Sequence, residues 1–388
     1  MLCIVPAVLL AGCDGGDTPS EPVPKPPERV SAYSAATWDD LPQTSDADLV
    51  SGFLAWRSAC KRLAKDAIWG ETCAQAAGVP DQAAPIRQFL QNTLEVYSLR
   101  GAGNDPKGLV TGYYEPVYPG SLKQTAEASV PVYGIPEDMV VVALDSVYPE
   151  LKGMRLRGRL EGRVLRPYDD AAAIREHGVK APVLAWLHDP MDLQFLQIQG
   201  SGRVQLPGGR QMRLGYADQN GRPYRPVGRW LIEQGLLTKD QVSMGRIRDW
   251  AANNPDRVSE MLASNPSYVF FTEGPDSNEG PRGSLNVPLT PEYSVAIDRK
   301  VVPLGSLLWL STTRPDDGRT MIRPVAAQDT GGAIVGEVRA DFFWGTGDRA
   351  GELAGNMKQD GAIWLLWPKG KALPDVQVAA EKPTTAKP

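Results

Sequence analysis

The sequence predicts a mainly β protein with a few helices, and three observations carry that reading. Thirty-nine glycines and 34 prolines in 388 residues favour short strands and turns over long helices. From Gly108 onward, short apolar runs are broken by Gly and Pro, the texture of strands closing into a barrel or a sandwich. Helical periodicity is confined to residues 46–64, the stretch from Ile86 to Tyr97, and residues 227–264.

At the N-terminus an apolar stretch too short to span a bilayer ends in Leu10-Ala11-Gly12-Cys13. This resembles a bacterial lipoprotein signal, which implies lipidation of Cys13. Pro19, Pro22, Pro24, Pro26 and Pro27 follow with almost nothing apolar between them, a semi-rigid spacer with no core of its own. Residues 1–13 are therefore read as signal and 14–35 as tether of a membrane-anchored periplasmic protein. Asp14 resembles an inner-membrane retention signal and keeps that membrane open.

Beyond the tether, Ser45 is a natural N-cap for a helix whose stripe is Leu49, Phe53, Trp56, Cys60 and Leu63. Ile86, Phe89, Leu90, Leu94 and Tyr97 repeat the spacing after Pro85. An oxidising compartment allows a disulfide between Cys60 and Cys73, and two separate buried thiols are the other reading. Helices recur around Trp230, Leu231 and Leu236, around Ile247 and Trp250, and after Pro255 at a first helical position. Short strands resume at 268–271, 294–297, 307–310, 323–327, 339–343 and 363–367, and residues 371–388 read as a flexible tail.

Composition excludes several chemistries. A net charge of −5 gives no basic footprint, so nucleic acid is not an expected partner. His177 and His188 are the only histidines; neither lies in a zinc-protease motif or near a nucleophile elbow. No Cys/His ligand cluster is visible, so neither metal nor cofactor is expected. Carboxylates remain as the natural catalysts. Asp329-Thr330-Gly331 is the triplet of aspartic proteases, but a bilobal protease needs two such turns. Here Asp-Thr-Gly occurs once and Asp-Ser-Gly not at all.

The surroundings of the triplet say more. Asp329-Thr330-Gly331-Gly332-Ala333-Ile334-Val335-Gly336 precedes Arg339-Ala340-Asp341-Phe342-Phe343-Trp344-Gly345-Thr346-Gly347-Asp348, then Ala350, Gly351, Ala354 and Gly355. Upstream stand Thr111-Gly112-Tyr113-Tyr114-Glu115-Pro116, Phe195-Leu196-Gln197-Ile198-Gln199-Gly200-Ser201-Gly202, Gly215-Tyr216-Ala217-Asp218-Gln219-Asn220-Gly221 and Asn265-Pro266-Ser267-Tyr268-Val269-Phe270-Phe271. In this order the motifs resemble the membrane-bound lytic murein transglycosylase A family, with its C-terminal three-aspartate segment.

The resemblance implies a double-psi β-barrel built from about 36–125 and 268–370, with a second β-rich, substrate-binding domain inserted over 126–267. It implies cleavage of peptidoglycan between N-acetylmuramic acid and N-acetylglucosamine without water, leaving a 1,6-anhydromuramyl end. One carboxyl group then serves first as acid and later as base. The family's acid/base position falls on Asp341, and Phe342, Phe343 and Trp344 are residues able to desolvate it. Asp329 is assigned a supporting role, ionised and orienting its turn, while Asp348 is read as a helix-capping residue. Thr111, Tyr113, Tyr114, Gln199, Ser201, Tyr216 and Asn220 supply aromatic, amide and hydroxyl groups suited to sugars, and Glu115 is a further binder. The expected partners are peptidoglycan glycan strands and, through the lipid, a membrane; the resemblance implies the periplasmic face of the outer membrane. The chain is expected to be a monomer working beside cell-wall synthesis proteins. The competing readings are a non-catalytic wall-binding lipoprotein and a conventional hydrolase using Asp329 as base to the acid of Asp341.

Overall fold

A computed structural model describes residues 28–152, 154, 156–275, 277 and 279–380. Cys13, the proline-rich spacer up to residue 27 and the last eight residues lie outside the described residues. The fold is mainly β, with few helices.

The principal sheet orders its eight strands Leu307–Thr313, Thr320–Asp329, Ser294–Ile297, Arg339–Thr346, Gly108–Glu115, Lys358–Pro368, Leu94–Leu99 and Tyr33–Ala36. Leu307–Thr313 also pairs with Lys358–Pro368, so that strand is bonded on both sides. All four residues of Ser294–Ile297 are buried, as suits a strand packed on both faces. The main core packs against both faces of this sheet at Leu307–Leu310, where four successive residues are buried in it. It takes Val110 and Tyr114 from one strand, Ala340, Phe342 and Trp344 from its neighbour, and Val295 and Ile297 from the next.

Helix Asp46–Ser58 begins where Ser45 accepts the Asp48 amide at 3.0 Å, and its Leu49, Phe53 and Trp56 are buried. Trp56 donates its indole N–H to the Gly305 carbonyl, and Gln328 donates its side-chain amide to the Ala55 carbonyl at 2.7 Å. The helix is thereby fixed to the strand that ends at Asp329. Cys60 and Cys73 are disulfide-bonded, joining the short helices Cys60–Leu63 and Gly70–Ala76.

A second core gathers Tyr118, Phe195, Leu214, Phe270 and Phe271 around a six-stranded sheet, ordered Val269–Glu273, Gln211–Gln219, Ser201–Gln205, Val117–Ser121, Val183–Leu187 and Val130–Tyr133. Strands Val117–Ser121 and Val269–Glu273, which the resemblance assigned to the first unit, pair in this sheet, and Tyr118, Phe270 and Phe271 bury their rings in this core. Helices 227–233, 244–253 and 258–263 stand where periodicity put them, with Pro255 opening a 3-10 turn.

Two local expectations fail. Leu94 and Tyr97 lie in a strand, because the helix ends at Thr93 and the chain turns extended at Leu94. The expected tether and tail are structured at their inner ends: Arg29–Ser31 pairs antiparallel with Gln377–Ala379, which buries Val378.

The principal sheet also explains a glycine. A Cβ on Gly112 would lie 2.8 Å from the Ala354 Cα and from the Trp344 indole. Only a bare backbone lets helix Asp348–Asn356 seat against this strand. Replacing Gly112 by Ala should lower stability by about 1–3 kcal/mol, as overpacking does. Denaturant unfolding of Gly112→Ala checks this, and a variant as stable as the parent contradicts the packing described.

Candidate active site

Alternation along the strands sends one set of side chains to the core and the other to the opposite face. On Arg339–Thr346 that opposite set is Arg339, Asp341 and Phe343; on Gly108–Glu115 it is Thr111, Tyr113 and Glu115; on Ser294–Ile297 it includes Ala296. Register aligns them. Asp341 pairs with Thr111 on one side and Ala296 on the other, and Ala296 pairs with Asp329. Thr111, Asp341, Ala296 and Asp329 thus form one row across four adjacent strands, which puts the two aspartate backbones about 10 Å apart.

Both carboxyl groups are partly buried beside a small apolar cluster of Tyr113, Leu289, Ala296, Ile334 and Phe343. The Tyr113 and Phe343 rings lie 5.2 Å apart. Of the three aromatics expected to desolvate Asp341, only Phe343 shares its face; Phe342 and Trp344 alternate into the main core.

The donor sets differ. Asp329 accepts from the Ser284 amide at 2.9 Å, the Ser284 hydroxyl at 2.9 Å, the Thr330 amide at 2.8 Å and the Tyr113 hydroxyl at 3.1 Å. Asp341 accepts from the Thr111 hydroxyl at 2.5 Å, and that hydroxyl accepts from Arg339 at 2.8 Å. Burial pushes both acids above the ordinary carboxylate range. The four donors work against this at Asp329, while Thr111 and Arg339 work against it at Asp341. Burial, and then the two nearby carboxylates, also raise the Tyr113 phenol well above its usual value, so it stays a neutral donor.

Other sequence candidates have structural work. Asn220 is fully buried and donates to the Asp169 and Pro266 carbonyls while accepting from the Tyr268 and Arg222 amides, so the expectation that it binds sugar fails. Tyr114 points to the core face, its ring against Gly351 and its hydroxyl 3.8 Å from the Met244 sulfur. Gln199 ends helix Pro190–Gln199 and accepts the Tyr114 backbone amide at 3.1 Å, tying the second sheet's helix to strand Gly108–Glu115. Ser201 and Tyr216 lie on paired strands of the second sheet, with Tyr216 40% exposed. Glu115 is fully buried, held by Arg203 at 2.9 Å, Arg213 at 3.0 Å and the Thr346 hydroxyl at 2.8 Å. It is a joint between the two sheets rather than a ligand. Asp348 is exposed in the first turn of its helix, where Gly347, at a φ of 86°, is the capping residue. His177 and His188 are exposed.

Sequence reasoning missed Ser284, Gln328 and Arg339 as contributors. Ser284 lies in a glycine-flanked loop without periodicity. Gln328, next to Asp329, was the legible one: a polar residue ending a buried run needs partners. It finds them in Ser294 and Ala55.

Two family models match the chain, the MltA specific insert domain over residues 109–272 and the 3D domain over 293–367. The membrane-bound lytic murein transglycosylase A of Escherichia coli (strain K12) is 31% identical over 287 residues, covering 72% of this chain and 71% of that protein. The chain belongs to the membrane-bound lytic murein transglycosylase A family. Among solved structures of this family, MltA from Neisseria gonorrhoeae in a monoclinic form superposes with a TM-score of 0.78 at 36% identity, covering 91% of this chain and 98% of that one. E. coli MltA with bound chitohexaose gives 0.66 at 26% identity, covering 88% and 95%.

The Glu115 joint generates a prediction. Glu115→Gln removes one partner of a buried ion-pair cluster and leaves Arg203 and Arg213 uncompensated, which typically costs about 3–5 kcal/mol. The expected outcome is a strongly lowered melting temperature, measured by calorimetry, with product chemistry unchanged in the fraction that stays folded.

Proposed function

We propose that this chain is a peptidoglycan lytic transglycosylase. It cleaves the β-1,4 bond between N-acetylmuramic acid and N-acetylglucosamine and leaves a 1,6-anhydromuramyl end, with Asp341 as the single acid/base. The observation that carries the assignment is the unequal donor set of two carboxyls in one row. Four donors converge on Asp329 and favour its charged form. Asp341 lies in the same buried surroundings, accepts from Thr111 and feels the charge of Asp329, so it is the better holder of a proton.

The chemistry balances without water. Asp341 gives its proton to the glycosidic oxygen as the bond to C1 breaks. The resulting carboxylate then takes the proton of the muramyl 6-hydroxyl as that oxygen bonds to C1. Asp329, charged and fixed, lies on the same face to favour the positive charge developing at the sugar ring. A hydrolase using Asp329 as base is less favoured, because four donors already hold its two oxygens and lower its basicity. The E. coli relative's complex with chitohexaose supports a glycan strand as ligand.

The finer architecture is part of the proposal. The circuit of six strands from Leu307–Thr313 back to Lys358–Pro368 is read as a double-psi β-barrel, with the second sheet inserted between about residues 116 and 274. The groove between them takes the glycan, with Tyr216 and Ser201 on its far wall. Cys13 is the lipid attachment and residues 14–27 the spacer, holding the enzyme at the periplasmic face of the outer membrane, or of the inner membrane if Asp14 acts as a retention signal. A monomer working beside cell-wall synthesis proteins fits this placement.

Two measurements test the reading. Asp341→Asn should lose about 100- to 10,000-fold or more in formation of anhydro products from purified sacculi, assayed by mass spectrometry, while glycan binding is retained. Asp329→Asn should lose activity together with melting temperature, because it breaks the Ser284 and Thr330 turn. An active, folded Asp341→Asn enzyme, or reducing-end products from the parent, would overturn the mechanism. For the anchor, Cys13→Ser should release the protein from the membrane fraction and keep its activity on soluble sacculi; continued pelleting with membranes contradicts lipidation.

A further inference from the structure

Arg339 has no place in the mechanism above, yet it lies on the face of the carboxyls, two residues before Asp341 on the same strand. Its guanidinium donates to the Leu109 carbonyl at 3.3 Å and the Ala340 carbonyl at 2.5 Å, which fixes it between two strands. It also donates to the Thr111 hydroxyl at 2.8 Å.

A guanidinium can only donate. The lone pair of Thr111 that meets Arg339 is therefore occupied as an acceptor, and the one hydroxyl hydrogen must point elsewhere. It points to Oδ1 of Asp341, 2.5 Å away. Arg339 takes one of the two lone pairs of Thr111 and polarises its hydroxyl as a donor, which favours the arrangement in which Oδ1 accepts. When Asp341 is neutral, that arrangement favours its proton on the other oxygen, Oδ2. Without Arg339 this bias is lost, and the proton is shared more evenly between the two oxygens.

We propose that Arg339, acting through the Thr111 hydroxyl, is the positioning residue that directs the hydroxyl hydrogen to Oδ1 of Asp341, so favouring the catalytic proton on Oδ2, and that sets the pH range in which that proton is present. The proposal rests on Asp341 being the acid. The charged and titratable groups facing Asp341 are few. Asp329 stands across Ala296 and opposes ionisation, and Tyr113 remains a neutral phenol. Lys358 pairs with Thr111 from the neighbouring strand and is exposed to solvent. Arg339 is the cation that draws Asp341 down against burial.

The sign follows. The first step needs protonated Asp341 in the free enzyme, so kcat/KM falls as pH rises through its pKa. Arg339→Met removes a nearby cation, the pKa rises, and the alkaline limb should move up by about one pH unit. Arg339→Lys, which keeps the charge, should return the limb most of the way to the parent. Thr111→Val should lower kcat about tenfold or more, as expected for lost acid positioning, and Thr111→Ser should restore it.

The experiment records pH profiles of anhydro-product formation on purified sacculi for the parent and these four variants. Alongside, the pH dependence of the melting-temperature difference between each Arg339 variant and the same variant carrying Asp341→Asn reports the protonation of Asp341 without any activity. Parallel upward shifts in both readouts for Arg339→Met, reversed in Arg339→Lys, are expected. Loss of activity in Arg339→Met with both the limb and the melting-difference midpoint unmoved would overturn the proposal and leave Arg339 a packing residue. Failure of the acid assignment itself would show separately, as an active Asp341→Asn enzyme.

Discussion

The backbone ladder through Ala296 is the constraint on which the site depends. It bonds the strand ending at Asp329 on one side and the strand carrying Asp341 on the other, so the separation of the two acids is set by hydrogen-bonded strand spacing rather than by flexible side chains. Ala296 has a small side chain and leaves room between them. Everything that holds those three strands in register holds the carboxyls in register too. That includes the Gln328 amide on the Asp46–Ser58 helix, the pairing of Thr111 with Asp341, and the bare backbone of Gly112 under the closing helix.

The same sheet faces two environments. Odd positions of the Arg339–Thr346 strand meet the carboxyl face and even positions fill the main core. A register slip by one residue would exchange Asp341 for Phe342 and place a charge in the core, which is prohibitive. The buried residues Ala340, Phe342 and Trp344 therefore specify the position of Asp341 as firmly as any polar contact does. The placement of the Asp341 side chain on the carboxyl face is a by-product of core packing.

How far this was legible in the sequence varies with the range of the interaction. The mainly β class, the helix capped by Ser45 and the strand Ser294–Ile297 could be read because their signals are local: a cap, a periodic stripe, an unbroken apolar run. The pairing of Asp329 with Asp341 was suggested by family motifs, but periodicity places neither acid next to the other. The fate of Asn220 and Glu115 was hidden, since a motif polar residue looks the same whether it faces a ligand or spends every hydrogen bond inside the fold. Their partners, Tyr268, Asp169, Arg203 and Arg213, are distant in sequence or on other strands. The clasp of Arg29–Ser31 with Gln377–Ala379 was hidden for a like reason: each strand alone is three polar-flanked residues, and only the pairing gives either a structure.

Glu115 also bears on how the two sheets cooperate. Its strand contributes Thr111 and Tyr113 to the carboxyl face, while its own side chain receives Arg203 and Arg213 from adjacent strands of the second sheet. Arg213 reaches further, donating to the Gly280 carbonyl at 3.4 Å, in the segment that leads to Ser284. Ser284 in turn supplies two of the donors on Asp329. One buried carboxylate thus connects the second sheet, the loop over the site and the strand beside the acid. A buried charge of this kind contributes little net stability over an apolar substitute of the same shape, but it tolerates only one arrangement of its partners. Fixing the second sheet and the Ser284 loop relative to Asp341 and Asp329 is what that intolerance provides, and it accounts for a full charge being kept where an apolar contact would pack as well.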